Sequence, residues 1–241
     1  MIDITITATQ RADVLERTLA TFKKNLFRDA GARIIINIDP VGPDQNSLKV
    51  LDVARAYFPV QYIRTPVKAE FSKAFVWTWR QICSEFVFHL EDDWELMRQV
   101  DLDAMIRIMK NNPDLAVLRL PFKPSDTDSM KNWKYFFPYN DEFFECPESL
   151  KRTVGFCGHP SLIRGEFVQN TVKYLDESKN PEKQFHHGHP EIMKEIDRHR
   201  FGVFAEPNQG PAIRDIGRKW MIENNYKKVG SKAFFTKWGK T

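Results

Sequence analysis

The sequence predicts an α/β protein in which a mostly parallel sheet is flanked by helices. Three observations predict it. Short β-branched or aliphatic runs alternate with amphipathic segments of helical period through the first half. One of the runs, "RIIINID", is apolar almost throughout, as a strand covered on both faces is. Polar clusters (Thr9 to Arg11, Asp39, and Glu91 to Asp93) fall where such runs end, which is where sheets of this class bind ligands.

The elements follow in order. "IDITITA" alternates and is β-branched, so it reads as a strand. Leu15, Leu19, Phe22 and Leu26 then recur at helical spacing. "RIIINID" is a strand, "SLKVLDVARAYF" a helix and "VQYIR" a strand. "FSKAFVWTWRQI" is a helix with Phe71, Phe75, Trp79 and Ile82 on one face, and "EFVFHL" is the next strand. Leu102, Met105, Ile106 and Met109 fall at i, i+3, i+4 and i+7, with Asp101 as N-cap. "LAVLRL" completes a βαβαβαβαβ run.

The second half is less regular. "PFKPSDTDSMKNWKYFFPYNDEFFECPESLKR" reads as a long, partly ordered insertion. "TVGFCGHPSLIR" is strand-like, "PEIMKEIDRHR" is a short helix starting at Pro190, and "FGVFAEP" is a strand. No repeat, linker or low-complexity run divides the chain. It reads as a single domain over residues 1–241 with two lobes, 1–120 and 121–241.

Composition is that of a globular protein with a core, at 42% hydrophobic and 28% charged residues. No apolar run approaches the ~20 residues of a membrane span, and "MIDITITATQ" has no signal-peptide pattern. Cys83, Cys146 and Cys157 are an odd number without metal-type spacing. They read as free thiols in a reducing compartment, so the expected location is cytoplasmic. The net charge of +4 is uneven: from Arg218 to Thr241 there are seven Lys/Arg and one Glu.

In "FVFHLEDDWEL" an apolar run ends in three consecutive carboxylates, which repel one another unless a cation sits among them. In an extended segment Glu91 and Asp93 would share one side and Asp92 the other. Same-side carboxylates at a strand end suit Mg²⁺ or Mn²⁺, which prefer oxygen ligands and complete their shell with phosphate and water. The chain has neither GxxxxGK[ST] nor GxGxxG, so a diphosphate bound here would need the metal. The plainer reading is an acidic turn that favours the helix after it. "HHGHPE", with His186, His187 and His189, does not match a zinc spacing and reads as a loop near an acceptor.

Taken in order, "ITATQR", "IIINIDP", "FVFHLEDDWEL" and "HPEIMKEIDRHRFGVFAEP" resemble the GT-A nucleotide-sugar glycosyltransferases, particularly the family 2-like group, over residues 1–216. The resemblance implies a nucleotide-sugar-binding first lobe and an acceptor second lobe. By it, Thr9 and Arg11 would line the nucleotide pocket and Asp39 would contact the nucleobase or ribose. Asp93 would be the main metal ligand, with Glu91 or Asp92 near the ribose or a metal-bound water. Lys73 would reach the donor phosphates, Asp215 would be a further metal ligand and Glu191 the catalytic base. Each has a plainer reading: Asp39 opens a turn before Pro40, Lys73 is a solvated helix residue, Asp215 pairs with Arg214 or Arg218, and Glu191 stabilises a helix start. The motif here is Glu-Asp-Asp rather than Asp-x-Asp, and Glu191 is followed by Ile192 where the family often has Asp.

The implied activity is sugar transfer from a UDP- or GDP-sugar type donor to an acceptor hydroxyl, with Mn²⁺ or Mg²⁺ and inversion at the sugar. The basic C-terminal stretch, with Trp220, Tyr226, Phe234, Phe235 and Trp238, would fold over the donor, hold an anionic acceptor (a glycan, a lipid-linked group or nucleic acid), or pack on the body. The rival readings are a sugar nucleotidyltransferase, a metal-dependent nuclease and a non-catalytic nucleotide-sugar-binding protein. The first lacks its glycine-rich loop in "TATQRAD".

Overall fold

The computed structural model describes residues 1–44, 46–122, 137–232 and 235–240. Part of the proposed insertion, residues 123–136, lies outside them, as do Phe234 and the side chains of Phe235 and Trp238.

The first half follows the expected alternation: β1 (Ile2–Thr9), α1 (Ala12–Asn25), β2 (Ala32–Asp39), α2 (Ser47–Tyr57), β3 (Val60–Arg64), α3 (Phe71–Arg80), β4 (Phe86–Glu91), β5 (Trp94–Leu96), α4 (Leu102–Asn111) and β6 (Leu115–Arg119). After these come β7 (Phe144–Glu145), β8 (Ser161–Arg164), α5 (Gly165–Val172), α6 (Pro181–His187), α7 (Pro190–Arg198), β9 (Arg200–Val203), β10 (Ile213–Asp215), α8 (Gly217–Glu223), β11 (Tyr226–Lys232) and β12 (Phe235–Lys240). The predicted cap on α4 forms, with Asp101 Oδ1 accepting from the Ala104 N–H at 2.9 Å.

The main sheet has eight strands in the order β3-β2-β1-β4-β8-β6-β9-β7, with β8 and β7 antiparallel to their neighbours. Its two faces carry the two large apolar clusters. Ile4, Ile6, Ile34, Ile36, Phe88 and Leu118 pack under α1, α2 and α4. Ile35, Val87, Val117, Ile163 and Phe201 pack under α3, α5, α6 and α7. Phe27 meets Phe88 and Phe58 edge-to-face at 5.2 and 5.7 Å, contacts worth about 1 kcal/mol each beyond their buried area.

The alternating sequence of β1 forms the strand it predicts, and both of its faces are buried. Its polar residues are absorbed internally: Asp3 pairs with Arg33 and Thr5 meets His89. Two elements differ from expectation. In "TVGFCGHPSLIR" only Ser161–Arg164 is a strand, because residues 151–155 wind into one wide helical turn. "HHGHPE" is not a loop: His186 and His187 end α6, and His189 caps α7 by accepting from the Glu191 N–H.

Strand register does the long-range placement. β1 runs parallel to β2 with Thr9 beside Asp39, and parallel to β4 with Thr7 beside Glu91. The three polar clusters therefore meet at one edge. A second, two-stranded sheet pairs Asp215 with Trp94 and brings the C-terminal segment to the same place.

Candidate functional site

The chain turns sharply at Asp92 and Asp93, between β4 and β5. The turn is pinned from three sides. The Asp92 N–H donates to the Thr7 carbonyl at 3.2 Å, the Thr18 hydroxyl to the Asp92 carbonyl at 2.7 Å, and the Ile216 N–H to the Asp93 carbonyl at 2.9 Å. The cation among the carboxylates is Arg11. Its Nη2 lies 2.7 Å from Asp92 Oδ1 and 3.1 Å from Asp93 Oδ2, and its Nε donates to Thr9 Oγ1 at 2.8 Å. Thr9 adds two donors to Asp92 Oδ2, the N–H at 2.8 Å and the hydroxyl at 2.7 Å. Arg11 and Asp92 are both 3% exposed. Burial pushes the Asp92 carboxyl up, and Arg11 and Thr9 oppose it. Burial opposes the charge on Arg11 too, but the two carboxylates outweigh it and hold its pKa above the ordinary value.

Arg11 is thus packed on the acidic turn rather than lining an open pocket, because the buried Asp92 carboxylate, with Asp93 beside it, needs a cation close by. Asp92, expected near a ribose or a metal-bound water, is committed to Arg11 and Thr9. The shared side expected for Glu91 and Asp93 does not form, since strand alternation stops at Glu91. Both Asp92 and Asp93 reach Arg11, whereas Glu91 points toward Gly158. A methyl built on Gly158 would lie 3.8 Å from Glu91 Oε1 and 3.8 Å from Glu182 Oε2. A methyl on Gly217 would lie 2.1 Å from Asp93 Oδ2, so only glycine allows the backbone of α8 so close to that carboxylate.

Asp39 sits one strand away, 6% exposed. Asn37 Nδ2 donates to its Oδ1 at 2.8 Å, and Arg64 Nη1 donates to Asn37 Oδ1 at 3.0 Å. Burial raises the Asp39 pKa to about 6, against the Asn37 hydrogen bond, the Arg64 charge and the Glu70 backbone N–H. That N–H begins α3, and Lys73, one turn on, pairs with Glu70 at 2.9 Å while staying partly exposed.

Strand pairing with Trp94 brings Asp215 to the acidic turn; its Oδ1 accepts from the Gly217 N–H at 2.7 Å, opening α8, and its Oδ2 lies 3.7 Å from Arg218 Nε, the pairing of its plainer reading. Glu191 is not brought there. It pairs with Lys194 at 2.6 Å, and its other charged neighbours are His189 and Lys173. The acid brought toward Glu91 is Glu182, in the first turn of α6. Among the described residues no group of three His, Cys, Asp or Glu side chains could hold a metal ion, and no helix is long and apolar enough to cross a membrane.

No protein-family model and no curated protein matches the chain. Solved structures do. Staphylococcus aureus TarS superposes with a TM-score of 0.63 at 12% identity, covering 89% of this chain and 36% of TarS. TarS 1–349 in complex with UDP superposes at 0.62 and 13% identity, covering 89% of this chain and 60% of that one. The mannosyltransferase PcManGT from Pyrobaculum calidifontis, in complex with GDP-Man and Mn²⁺, superposes at 0.56 and 10% identity, covering 85% of this chain and 55% of that one. These are glycosyltransferases of GT-A type. The fold of this chain is GT-A. The chain spans about one third to three fifths of the length of these structures.

Within the GT-A frame, sequence reasoning missed three residues. Asn37 and Arg64 extend the Asp39 cluster, and Arg64 ends β3 as Asp39 ends β2, so the strand-end rule that found Asp39 also reaches Arg64. Glu182 follows Pro181 at a helix start just as Glu191 follows Pro190, so the signal was present twice.

Proposed function

We propose that this chain transfers a sugar from a UDP- or GDP-sugar to an acceptor hydroxyl, with a divalent metal and with inversion at the sugar. The observation that carries the reading is the meeting of Asp39, the Arg11-bound acidic turn and Glu182 at the strand ends of a GT-A sheet. The nucleobase or ribose would bind at Asp39, Asn37 and Arg64, where a carboxylate, an amide and a guanidinium offer both acceptors and donors. Lys73 stands one turn into α3 and pairs with Glu70, whose backbone N–H reaches Asp39, and it would meet the diphosphate.

The donor set fits Mn²⁺ or Mg²⁺ only if the donor diphosphate completes it. Asp93 offers hard carboxylate oxygens and is a quarter exposed, with Glu91 and Asp215 on neighbouring segments. One or two carboxylates plus phosphate and water is the usual shell for these ions. When bound, the metal would offset charge developing on the leaving diphosphate. Arg11 and Thr9 would hold Asp92 and the turn in place, so that Asp93 is presented in one orientation. Glu182 would take the proton from the acceptor hydroxyl, a role that needs a carboxylate near the acidic turn. Its place beside Gly158 and Glu91 supports it over Glu191, which Lys194 occupies.

Calorimetric titration of UDP and GDP, with and without Mn²⁺, tests the reading on the wild type and on Asp93→Ala. One nucleotide should bind the wild type in a Mn²⁺-dependent manner, and the variant should lose that dependence while keeping its melting temperature. Equal metal-dependent affinity in the variant would remove Asp93 from the site. No binding of either nucleotide by the wild type would remove the donor assignment.

A further inference from the structure

We propose that Trp220 is a positioning residue for the acidic turn, acting through Arg11; the inference rests on the reading that Asp93 serves the donor site. The Arg11 guanidinium carbon lies 5.5 Å from the centroid of the Trp220 ring. The indole Nε1 donates to Asp13 Oδ2 at 2.7 Å, which fixes the ring against α1. Tyr226 stacks on the same indole, with centroids 5.6 Å apart and planes 17° apart. Trp220, Val14 and Ile216 form a small buried cluster of their own. The C-terminal basic segment is therefore docked, at least through Trp220 and Tyr226, on the residue that holds the acidic turn together.

The ring has a second neighbour. Trp220 also lines a cleft of about 370 Å³, bordered by Arg17, Asp215, Lys219 and Asn224, to which Arg11 does not contribute. The indole thus stands between that cleft and a guanidinium that is 3% exposed. Truncating it opens the cleft onto Arg11. Water then competes for the guanidinium, and the ion pairs to Asp92 and Asp93 weaken as the local dielectric rises. Mutual repulsion of the two carboxylates is no longer offset in one geometry, and Asp93 loses its fixed orientation. The Ile216 N–H to Asp93 carbonyl bond and the close approach of Gly217 tie the same carboxylate to the start of α8, so helix and turn move together.

The test compares Trp220→Ala, Trp220→Leu and Trp220→Phe with the wild type by two readouts. The first is amide hydrogen exchange at residues 92–94 in ligand-free protein. The second is UDP affinity with Mn²⁺. Phe keeps a ring face toward Arg11, Leu keeps apolar volume only, and Ala keeps neither. Exchange at the turn should accelerate about tenfold or more in Ala, less in Leu and least in Phe, the scale of a desolvated cation–π contact plus lost shielding. Amides of β2, deep in the sheet, should hold their protection in all three. Mn²⁺-dependent UDP affinity should fall in the same order by a similar factor. In Arg11→Lys the further effect of Trp220→Ala should be much smaller than in the wild type, because the two act in series. A merely structural tryptophan would speed exchange throughout the molecule and give additive effects with Arg11→Lys, and either result overturns the proposal. If Trp220→Ala does not fold, the Leu and Phe variants decide it by the same ranking. If the wild type binds neither UDP nor GDP with Mn²⁺, the donor-site reading fails, while the exchange ranking still decides whether Trp220 holds the turn; if it binds GDP only, GDP replaces UDP in the affinity readout.

Discussion

Asp39→Asn should stabilise the ligand-free protein at neutral pH while weakening nucleotide binding. Asp39 is nearly buried, and burial lifts its pKa from 3.8 to about 6. Between those values the folded state binds more protons than the unfolded state, so its ionisation opposes folding as pH rises. The penalty is absent below about pH 4, grows through the interval and is complete above about pH 6. A shift of about two units corresponds to roughly 3 kcal/mol at most. Asparagine removes the charge and keeps one oxygen to accept from Asn37 Nδ2 or the Glu70 N–H, but an NH₂ that only donates replaces the second carboxylate oxygen, a loss of about 1 kcal/mol. The net gain expected is about 1–2 kcal/mol at pH 8, shrinking as pH falls through 6 and gone, or slightly reversed, near pH 4. Urea unfolding of both proteins from pH 4 to 8 measures it. His89, which burial holds neutral by pushing its pKa down to about 4, titrates with the opposite sign, but it is common to both proteins and cancels in the difference. A variant that is less stable at pH 8, or a difference that does not change with pH, would refute the reasoning. UDP or GDP binding should weaken in the variant, since an ionised acceptor for a base or ribose donor is gone.

Two further outcomes are expected. Glu182→Gln should leave donor binding nearly unaltered and cut turnover by about 10²-fold or more, whereas Glu191→Gln should turn over within about twofold of wild type, since Lys194 is its partner; steady-state rates with the donor that binds compare them, and the reverse ranking would restore Glu191 as the base. Asp3→Ala strands Arg33 and two backbone N–H groups at the far end of β1, and should cost about 3 kcal/mol in chemical denaturation while leaving UDP affinity at low temperature as it was; a large affinity loss would mean that the sheet transmits strain to the site.

The fold was legible because its signals are local. "RIIINID" and "EFVFHL" are long enough to declare strands, and α1 and α4 show their buried stripes in single windows. The convergence of Thr9, Asp39 and Glu91 was legible too, since it follows from parallel register once the strands are known. What could not be read was which way each carboxylate turns. Alternation predicts side-chain direction only while the chain stays extended, and it stops at Glu91, so Asp92 went inward and Asp93 joined it on Arg11. The three-residue strands β5 and β10 carry too little pattern to announce a pairing 119 residues apart, yet that pairing brings Asp215, Gly217 and Trp220 to the turn.

The base candidate shows the limit most sharply. "NPEKQF" and "HPEIMK" both offer a polar cap, a proline at the first helical position and a glutamate after it, and both form the helix that this pattern predicts. Local physics therefore assigns Glu182 and Glu191 the same role at a helix start and cannot rank them for chemistry. What separates them is tertiary. Burial of Phe185 against Phe156, with rings stacked at 4.1 Å, sets α6 beside the loop that carries Gly158, and so turns Glu182 toward Glu91. The matching anchor on α7, Ile192, is buried in the same core, but Glu191 ends on its outer side, where Lys194 is the nearest cation. Two identical local signals thus diverge because one helix is held by an aromatic stack beside the loop that carries Gly158 and the other is not. Replacing Phe185 by a small residue should therefore lower turnover through Glu182 without touching the donor site.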